Sequence, residues 1–146
     1  MQRQQWQSLK KHTRTRVSID WEQDSWGIAI YCPEYFDPDK YNWDKYSWAV
    51  AQYCPQHFDP DRYNWEQDSW AVAQFCPQHF DPDRYNWERH SWAVAQFCPE
   101  HLEPDKYNWK KHKHYVRQFC PQHISSTIRK KPNNLTPTFL KYINLN

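Results

Sequence analysis

Residues 54–75 read CPQHFDPDRYNWEQDSWAVAQF, and residues 76–97 repeat the stretch with two changes, as CPQHFDPDRYNWERHSWAVAQF. The same 22-residue interval separates five cysteines and five tryptophans, which are Cys32, Cys54, Cys76, Cys98 and Cys120, and Trp21, Trp43, Trp65, Trp87 and Trp109. A fixed period of this kind predicts a repeat protein in which each unit buries its apolar face against its neighbours.

A helix start signal precedes each repeated tryptophan. The preceding residue is always Asp or Asn, the types that best cap a helix N-terminus, and these residues are Asp20, Asn42, Asn64, Asn86 and Asn108. In four repeats an acidic residue follows the tryptophan, where it complements the helix dipole. The proline after each repeated cysteine ends the segment. The pattern therefore predicts a helix of about 11 to 12 residues in every repeat.

The rest of each repeat, PQHFDPDRY, carries a second start signal. Asp59 before Pro60 is typical of an N-cap followed by proline at the first helical position, which predicts a one-turn or 3₁₀ helix there. We therefore predict an all-α fold, an α-solenoid of five 22-residue repeats over residues 20–130. Residues 1–19 are predicted to form a basic N-terminal cap, and residues 131–146 a C-terminal tail or cap.

The alternative fold is a β-solenoid, since WAVAQF is also compatible with a strand. The capping residues, the single glycine at Gly27 and the lack of strict alternation favour the helix. A helical wheel of the fourth repeat places its predicted core residues on one face, and these are Trp87, Ser91, Val94, Ala95 and Cys98. Arg89 and Gln96 fall on the opposite, solvent-facing side.

The layout resembles short α-solenoid repeats of the leucine-rich-repeat-variant kind, in which an α-helix alternates with a 3₁₀ turn. The resemblance covers residues 20 to about 124 and rests on the Asp or Asn start, the helix ending in VAxxCP and the DPD turn. The period here is shorter, and Trp, Tyr and Phe stand where leucine is expected. The resemblance implies an interaction scaffold and names no partner.

No apolar run approaches the roughly 20 residues that a membrane helix needs. The N-terminal stretch MQRQQWQSLKKHTRTR is polar and basic, unlike a secretory signal. The five cysteines are an odd number, and nothing in their pattern indicates an oxidising compartment. We expect a soluble, cytoplasmic protein that does not contact membranes.

Cysteine and histidine form C-x-x-H pairs in four repeats, for example Cys54 with His57. Zinc takes four ligands, so two repeats would have to contribute together. Packed helices lie roughly 8–10 Å apart, which makes that convergence awkward. We therefore interpret each cysteine as a small buried residue at a helix end and predict no metal or cofactor, with a metal-binding repeat as the third functional hypothesis.

The DPD segments place carboxylates at regular intervals, which we call the acidic stripe: Asp37, Asp39, Asp59, Asp61, Asp81 and Asp83. No glycine turn of a calcium loop accompanies them. They are either turn caps on a solvated face or a surface offered to a basic partner.

Searches for catalytic patterns find no G-x-S-x-G, H-E-x-x-H or phosphate-binding loop. The serine of the first four repeats, such as Ser91, falls on the core side, and His90, His112 and His114 are predicted to be surface residues. We predict that the protein is not an enzyme.

Three letters after each repeated tryptophan differ between copies: EQD, DKY, EQD, ERH and KKH. In the central repeats they are our predicted partner-binding positions: Asp44, Lys45, Tyr46, Glu66, Gln67, Asp68, Glu88, Arg89 and His90. Such variation either sets partner choice or is neutral surface. The leading hypothesis is a non-enzymatic module that binds a basic protein through an acidic, aromatic-rich surface, in one version as an inhibitor or nucleic-acid-mimicking decoy.

Charge is segregated along the chain. All 17 acidic residues lie between Asp20 and Asp105, and both ends are basic. The segment KYNWKKHKHYVRQF interleaves cations with rings, a composition that suits phosphate contact and base stacking. The alternative function is therefore nucleic-acid binding through the basic ends, using Lys110, Lys111, Lys113 and Arg117. The repeat pattern also allows end-to-end self-association.

Overall fold

A computed structural model of the protein describes residues 3–11 and 18–121. Helix α1 (Arg3–Lys11) is followed by five helices of equal length, α2 (Trp21–Tyr31), α3 (Trp43–Tyr53), α4 (Trp65–Phe75), α5 (Trp87–Phe97) and α6 (Trp109–Phe119). Between them lie the 3₁₀ helices Pro33–Tyr35, Pro55–His57, Pro77–His79 and Pro99–His101. These residues contain no strand, so the predicted all-α fold of α-solenoid type is confirmed and the β-solenoid is not. Residues 12–17 and 122–146, with the predicted tail, lie outside the described part.

The predicted helix boundaries are correct. Asn108 caps α6, because its Oδ1 accepts a hydrogen bond from the Lys111 N–H at 3.1 Å. At the other end of the repeated helix, the Cys98 N–H donates to the Val94 carbonyl at 3.0 Å. Pro99 then prevents the helix from continuing.

The short helix lies earlier in the repeat than predicted. It begins at the Cys-Pro pair, where Pro55 takes the first position and the His57 N–H donates to the Cys54 carbonyl at 2.9 Å. The DPD segment is instead a turn, in which the Asp59 side chain accepts from the Asp61 N–H at 3.0 Å. The aspartate thus caps a turn, as its residue type favours, but starts no helix.

The chain divides into two compact units, residues 1–64 and residues 65–146. In the second unit, α4 packs on α5 and α5 packs on α6. Its core contains small side chains, such as Val94, Ala95 and Cys98, surrounded by aromatic rings such as that of Trp109. The wheel of the fourth repeat is confirmed for its core, since all five predicted core residues are buried; on the opposite side Arg89 is exposed and Gln96 is half-buried.

One polar junction recurs where consecutive repeats meet within each unit. The Asn108 N–H donates to Ser91 Oγ at 3.0 Å, and Asn108 Nδ2 donates to the Glu88 carbonyl at 2.8 Å. The Ser91 hydroxyl in turn donates to the Trp87 carbonyl. Equivalent bonds join Asn42 to Ser25 and Glu22, Asn64 to Ser47 and Asp44, and Asn86 to Ser69 and Glu66. The serine column is therefore a set of hydrogen-bonding nodes rather than simple packing residues.

The fourth residue of the repeated helix bends the backbone. His90 has φ −123° and ψ 15°, outside helical values, and Tyr46 and His112 are similar. At this bend the Tyr85 hydroxyl donates to the His90 carbonyl at 2.8 Å. Tyr107 makes the same bond to His112. The repeated tyrosine thus satisfies a carbonyl that the bend directs away from the helix.

The first unit begins with a different contact. Trp6 of α1 is fully buried, stacking on Tyr31 and meeting Trp26 edge-on. Its indole ring lies over Gly27, so closely that a Cβ at that position would overlap the ring. Later helices carry alanine in this column, at Ala49, Ala71 and Ala93. The single glycine of the chain therefore makes room for a tryptophan.

We predict that Gly27→Ala destabilises the protein although alanine is the better helix former. Overpacking against the rigid indole costs about 1–3 kcal/mol, which exceeds the roughly 1 kcal/mol that alanine contributes by propensity. In a Trp6→Ala background the overlap is absent, and the same substitution should stabilise by about 1 kcal/mol. Urea unfolding of the four proteins of this cycle measures both values. Stabilisation in both backgrounds would show that Trp6 does not occupy this site.

Candidate interaction surface

The first two variable positions of each helix are exposed as predicted. These residues are Asp44 and Lys45, Glu66 and Gln67, and Glu88 and Arg89. They belong to the first helical turn, which the Asn cap fixes in α3 and α5. We call these six positions the first-turn surface; α3 presents two of them in the first unit, and α4 and α5 present two each in the second. Their exposure leaves them accessible to a partner from solvent.

The third variable position is not a surface position, which corrects our prediction for Asp68 and His90. Asp68 is 5 % exposed and His90 7 % exposed, and Tyr46 is half-buried. For Tyr46 and His90 the cause is that the side chain points toward the preceding repeat of the same unit. The Tyr46 hydroxyl donates to the Gln23 carbonyl at 2.9 Å, and His90 Nδ1 lies 2.9 Å from Ser69 Oγ.

His112 was also predicted to be a surface residue and is buried, whereas His114 is exposed. Burial lowers the pKa of His90 to about 4, with the neighbouring Arg89 charge adding to the effect. Burial, together with Lys111, also lowers the pKa of His112. Both imidazoles are therefore neutral parts of the contact between repeats.

The first carboxylate of each DPD segment serves its own turn. Asp37, Asp59 and Asp81 each accept a hydrogen bond from the N–H two residues later at 3.0 Å. Each also lies near the cation three residues later, as Arg62 Nε lies 3.3 Å from Asp59. These three aspartates are structural in this sense, although they remain partly exposed.

The second carboxylate of the segment reaches the next repeat. Arg62 lies 2.6 Å from Asp39 in the first unit, and Lys106 lies 2.8 Å from Asp83 in the second. The Lys106 ammonium holds the pKa of the Asp83 carboxyl below its usual range. Much of the negative charge of the acidic stripe is therefore paired with cations of the same or the next repeat. This makes the stripe a weaker candidate for a partner-binding surface than the first-turn surface.

Contacts within the repeats account for the C-x-x-H pairs. All five cysteines are buried and none forms a disulfide, and burial raises the pKa of the Cys54, Cys76 and Cys98 thiols to about 12. His57 and His101 stack instead on the phenylalanine of the preceding repeat, with ring centroids 4.7 Å from Phe36 and 4.8 Å from Phe80. The residues described in the structure contain no group of three or more His, Cys, Asp or Glu side chains placed to hold a metal ion.

Aromatic pairs line the helices beside the first-turn surface. The tryptophan at the sixth helical position meets the ring at the eleventh edge-on, as Trp48 meets Tyr53 and Trp92 meets Phe97. These tryptophans are half-buried, while Tyr53 and Phe97 are exposed. Each repeat therefore offers ring surface to solvent.

In α6 the four predicted nucleic-acid contacts are accessible to different degrees. Lys110, Lys111 and Arg117 are exposed, and Lys113 is half-buried.

Within the described ranges, no helix combines the length and the apolar character needed to cross a bilayer. Comparison of the chain with protein-family models, curated protein sequences and solved structures gave no match.

We predict that the free energy of unfolding decreases as the pH is lowered, because the buried histidines are neutral in the folded protein. The folded-state pKa of His90 is about 4 and the unfolded value is 6.5, so only the unfolded chain takes up a proton between these values. The contribution is therefore complete above pH 6.5, is lost as pH falls toward 4, and amounts to about 1–3 kcal/mol. Urea unfolding at pH 7.5 and pH 4.5 should show a smaller difference for His90→Gln than for wild type. The exposed His114→Gln is the control, and an equal effect of both variants would contradict the prediction.

We also predict that the thiols are inert in the folded protein. A buried thiol with a raised pKa reacts through the small population of opened molecules, so Ellman's reagent should label the native protein on the order of 100-fold more slowly than the denatured protein. Denaturant should expose all five cysteines. Rapid native labelling, or stoichiometric zinc in elemental analysis, would instead support the metal-binding hypothesis.

Proposed function

We propose that the protein is a non-enzymatic interaction module that binds a protein partner with a basic surface through its first-turn surface. One observation carries the proposal. Residues that repeat in every copy contact their own or a neighbouring repeat, as Asn108 and Tyr107 do. The exposed first-turn residues are those that vary. A scaffold whose repeated residues hold the units together, and which varies at two exposed positions of each helix, is suited to selecting partners.

The charge of this surface supports a basic partner. Asp44, Glu66 and Glu88 occupy equivalent first-turn positions on three consecutive helices. Exposed charges of one sign steer an oppositely charged partner and accelerate association at low salt. Lys45 and Arg89 vary the pattern from one repeat to the next. Charge thus gives both attraction and a means of discrimination.

The aromatic rows supply contact area beside these charges. Residues four apart share a helix face, so Glu88 lies next to Trp92 on α5, and Asp44 next to Trp48 on α3. Half-buried tryptophan is a frequent energetic centre of protein interfaces because it contributes large area at low entropic cost. A carboxylate beside a half-buried indole, as in these two helices, is therefore the recurring contact unit of the first-turn surface. A narrower version of the proposal is an inhibitor whose carboxylates replace phosphates in the groove of a nucleic-acid-binding protein.

The first-turn carboxylates should control binding to a basic probe. In a triple variant, Asp44→Asn, Glu66→Gln and Glu88→Gln, we expect a fluorescent lysine-rich peptide of about 20 residues to bind roughly tenfold more weakly at low salt. Three exposed charge contacts of about 0.5 kcal/mol each amount to this factor. The affinity is measured by fluorescence anisotropy.

A matched control removes the same charge elsewhere. Glu34→Gln, Glu100→Gln and Asp105→Asn neutralise three exposed carboxylates outside the first-turn surface. Equal weakening by both triple variants would show that only net charge matters, and the proposed surface would be wrong.

For the inhibitor version, the wild-type protein should displace duplex DNA from a basic DNA-binding domain.

A further inference from the structure

One face of the repeated helix is covered by the repeat that follows it. In α5, Glu88, Ser91 and Ala95 define this face: the Glu88 carbonyl and Ser91 Oγ both accept hydrogen bonds from Asn108. Ser91 and Ala95 have no exposed surface. The second, fifth and ninth positions of the helix therefore need a backbone acceptor and two small side chains for the next repeat to pack.

Helix α6 carries cations at all three of these positions. Lys110, Lys113 and Arg117 replace the glutamate, serine and alanine of α5. Lys110 and Arg117 are exposed and Lys113 is half-buried. Spacings of three and four residues place the three on a single face. The helix face that contacts the next repeat in α5 is thus basic in α6. We call Lys110, Lys113 and Arg117 the α6 basic face.

These cations oppose the local electrostatics of the helix. The other four repeated helices have an acid in the first turn, whereas α6 has none and begins with Lys110 and Lys111. Positive charge at a helix N-terminus is unfavourable, and like charges four residues apart repel. No salt bridge within the described ranges involves Lys110, Lys113 or Arg117. Such an uncompensated departure from the repeat is expected where a ligand supplies the opposite charge.

The rings of α6 are turned away from this face. Tyr115 lies 5.9 Å from Trp92 of α5 and stacks on Phe119 at 6.2 Å. Tyr115 thus belongs to the contact with the preceding repeat, whereas Phe119 is exposed on the side of α6 away from the cations. Of the rings, only exposed His114, one residue from Lys113, adjoins the basic face. The face offers charge and hydrogen-bond donors without a row of stacking platforms.

We propose that the α6 basic face binds the phosphate backbone of double-stranded nucleic acid without reading its sequence. Lysine and arginine donors match phosphate oxygens, and this contact supplies most sequence-independent affinity for a duplex. Single strands call for exposed rings on which bases stack. Helix α6 offers no row of them beside the cations, because Tyr115 contacts Trp92 of α5 and Phe119 lies on the opposite side of the helix. This site is independent of the first-turn surface.

The test is binding of the full chain to a labelled duplex of about 20 base pairs, followed by anisotropy at increasing salt. The triple variant Lys110→Ala, Lys113→Ala and Arg117→Ala should bind at least tenfold more weakly at low salt. The slope of the logarithm of its binding constant against the logarithm of the salt concentration should be smaller in magnitude by about 2–3, the change expected for three lost phosphate contacts. Alanine favours the helix, and circular dichroism should confirm that the variant is folded.

A control variant with the same loss of charge at exposed positions outside both proposed surfaces, Lys40→Ala, Arg62→Ala and Arg84→Ala, should retain the wild-type salt dependence. Phe119→Leu should leave duplex binding unchanged. The proposal is overturned if wild type does not bind the duplex at low salt, or if the two triple variants weaken it equally. It is also overturned if a single strand binds more tightly and loses affinity in Phe119→Leu. Equally tight binding of polyglutamate would assign the face to an acidic protein instead.

Discussion

The structure depends on the asparagine at the junction between repeats, because this one residue satisfies polar groups of two helices. Asn108 caps α6 with Oδ1 and binds the preceding repeat through its backbone N–H and Nδ2. Loss of the side chain would leave the first turn of one helix and a carbonyl of the other without partners. At the first repeat the same position is Asp20, which caps α2 but has no amide to donate. Asparagine thus occurs where a preceding repeat of the same type supplies a carbonyl.

Much of this architecture could be predicted because its signals are local. Caps, first-turn acids and the proline after each cysteine act within a few residues, and they correctly located every repeated helix. The short helix was misplaced because two proline start signals compete within nine residues. Cys54-Pro55 takes the 3₁₀ helix since the Cys54 carbonyl is already free at the end of α3, whereas the Asp59 side chain bonds the N–H of Asp61 and closes a turn.

The burial of Asp68 and His90 could not be read from the sequence, because a helical wheel relates residues to their own axis only. Which side the preceding repeat covers is decided by the junction and by the bend at the fourth position, where Tyr85 binds the His90 carbonyl. The residue types at that position nevertheless gave one indication of a contact between repeats. Tyr46 and His90 both have side chains that can hydrogen-bond with a neighbour, and both do so. Variation between copies therefore marked two kinds of position, an exposed one and a buried one with interchangeable hydrogen-bonding groups.

The first and last described repeats end the repeat pattern by different physical means. At the start, Trp6 fills the space beside Gly27 with apolar surface, so α2 is buried by a helix that is not a repeat. In α6, the small residues that a further repeat would need are replaced by Lys113 and Arg117. Desolvating those charges against another helix would be costly without carboxylate partners. The substitutions that remove the small residues from α6 therefore also create its basic face.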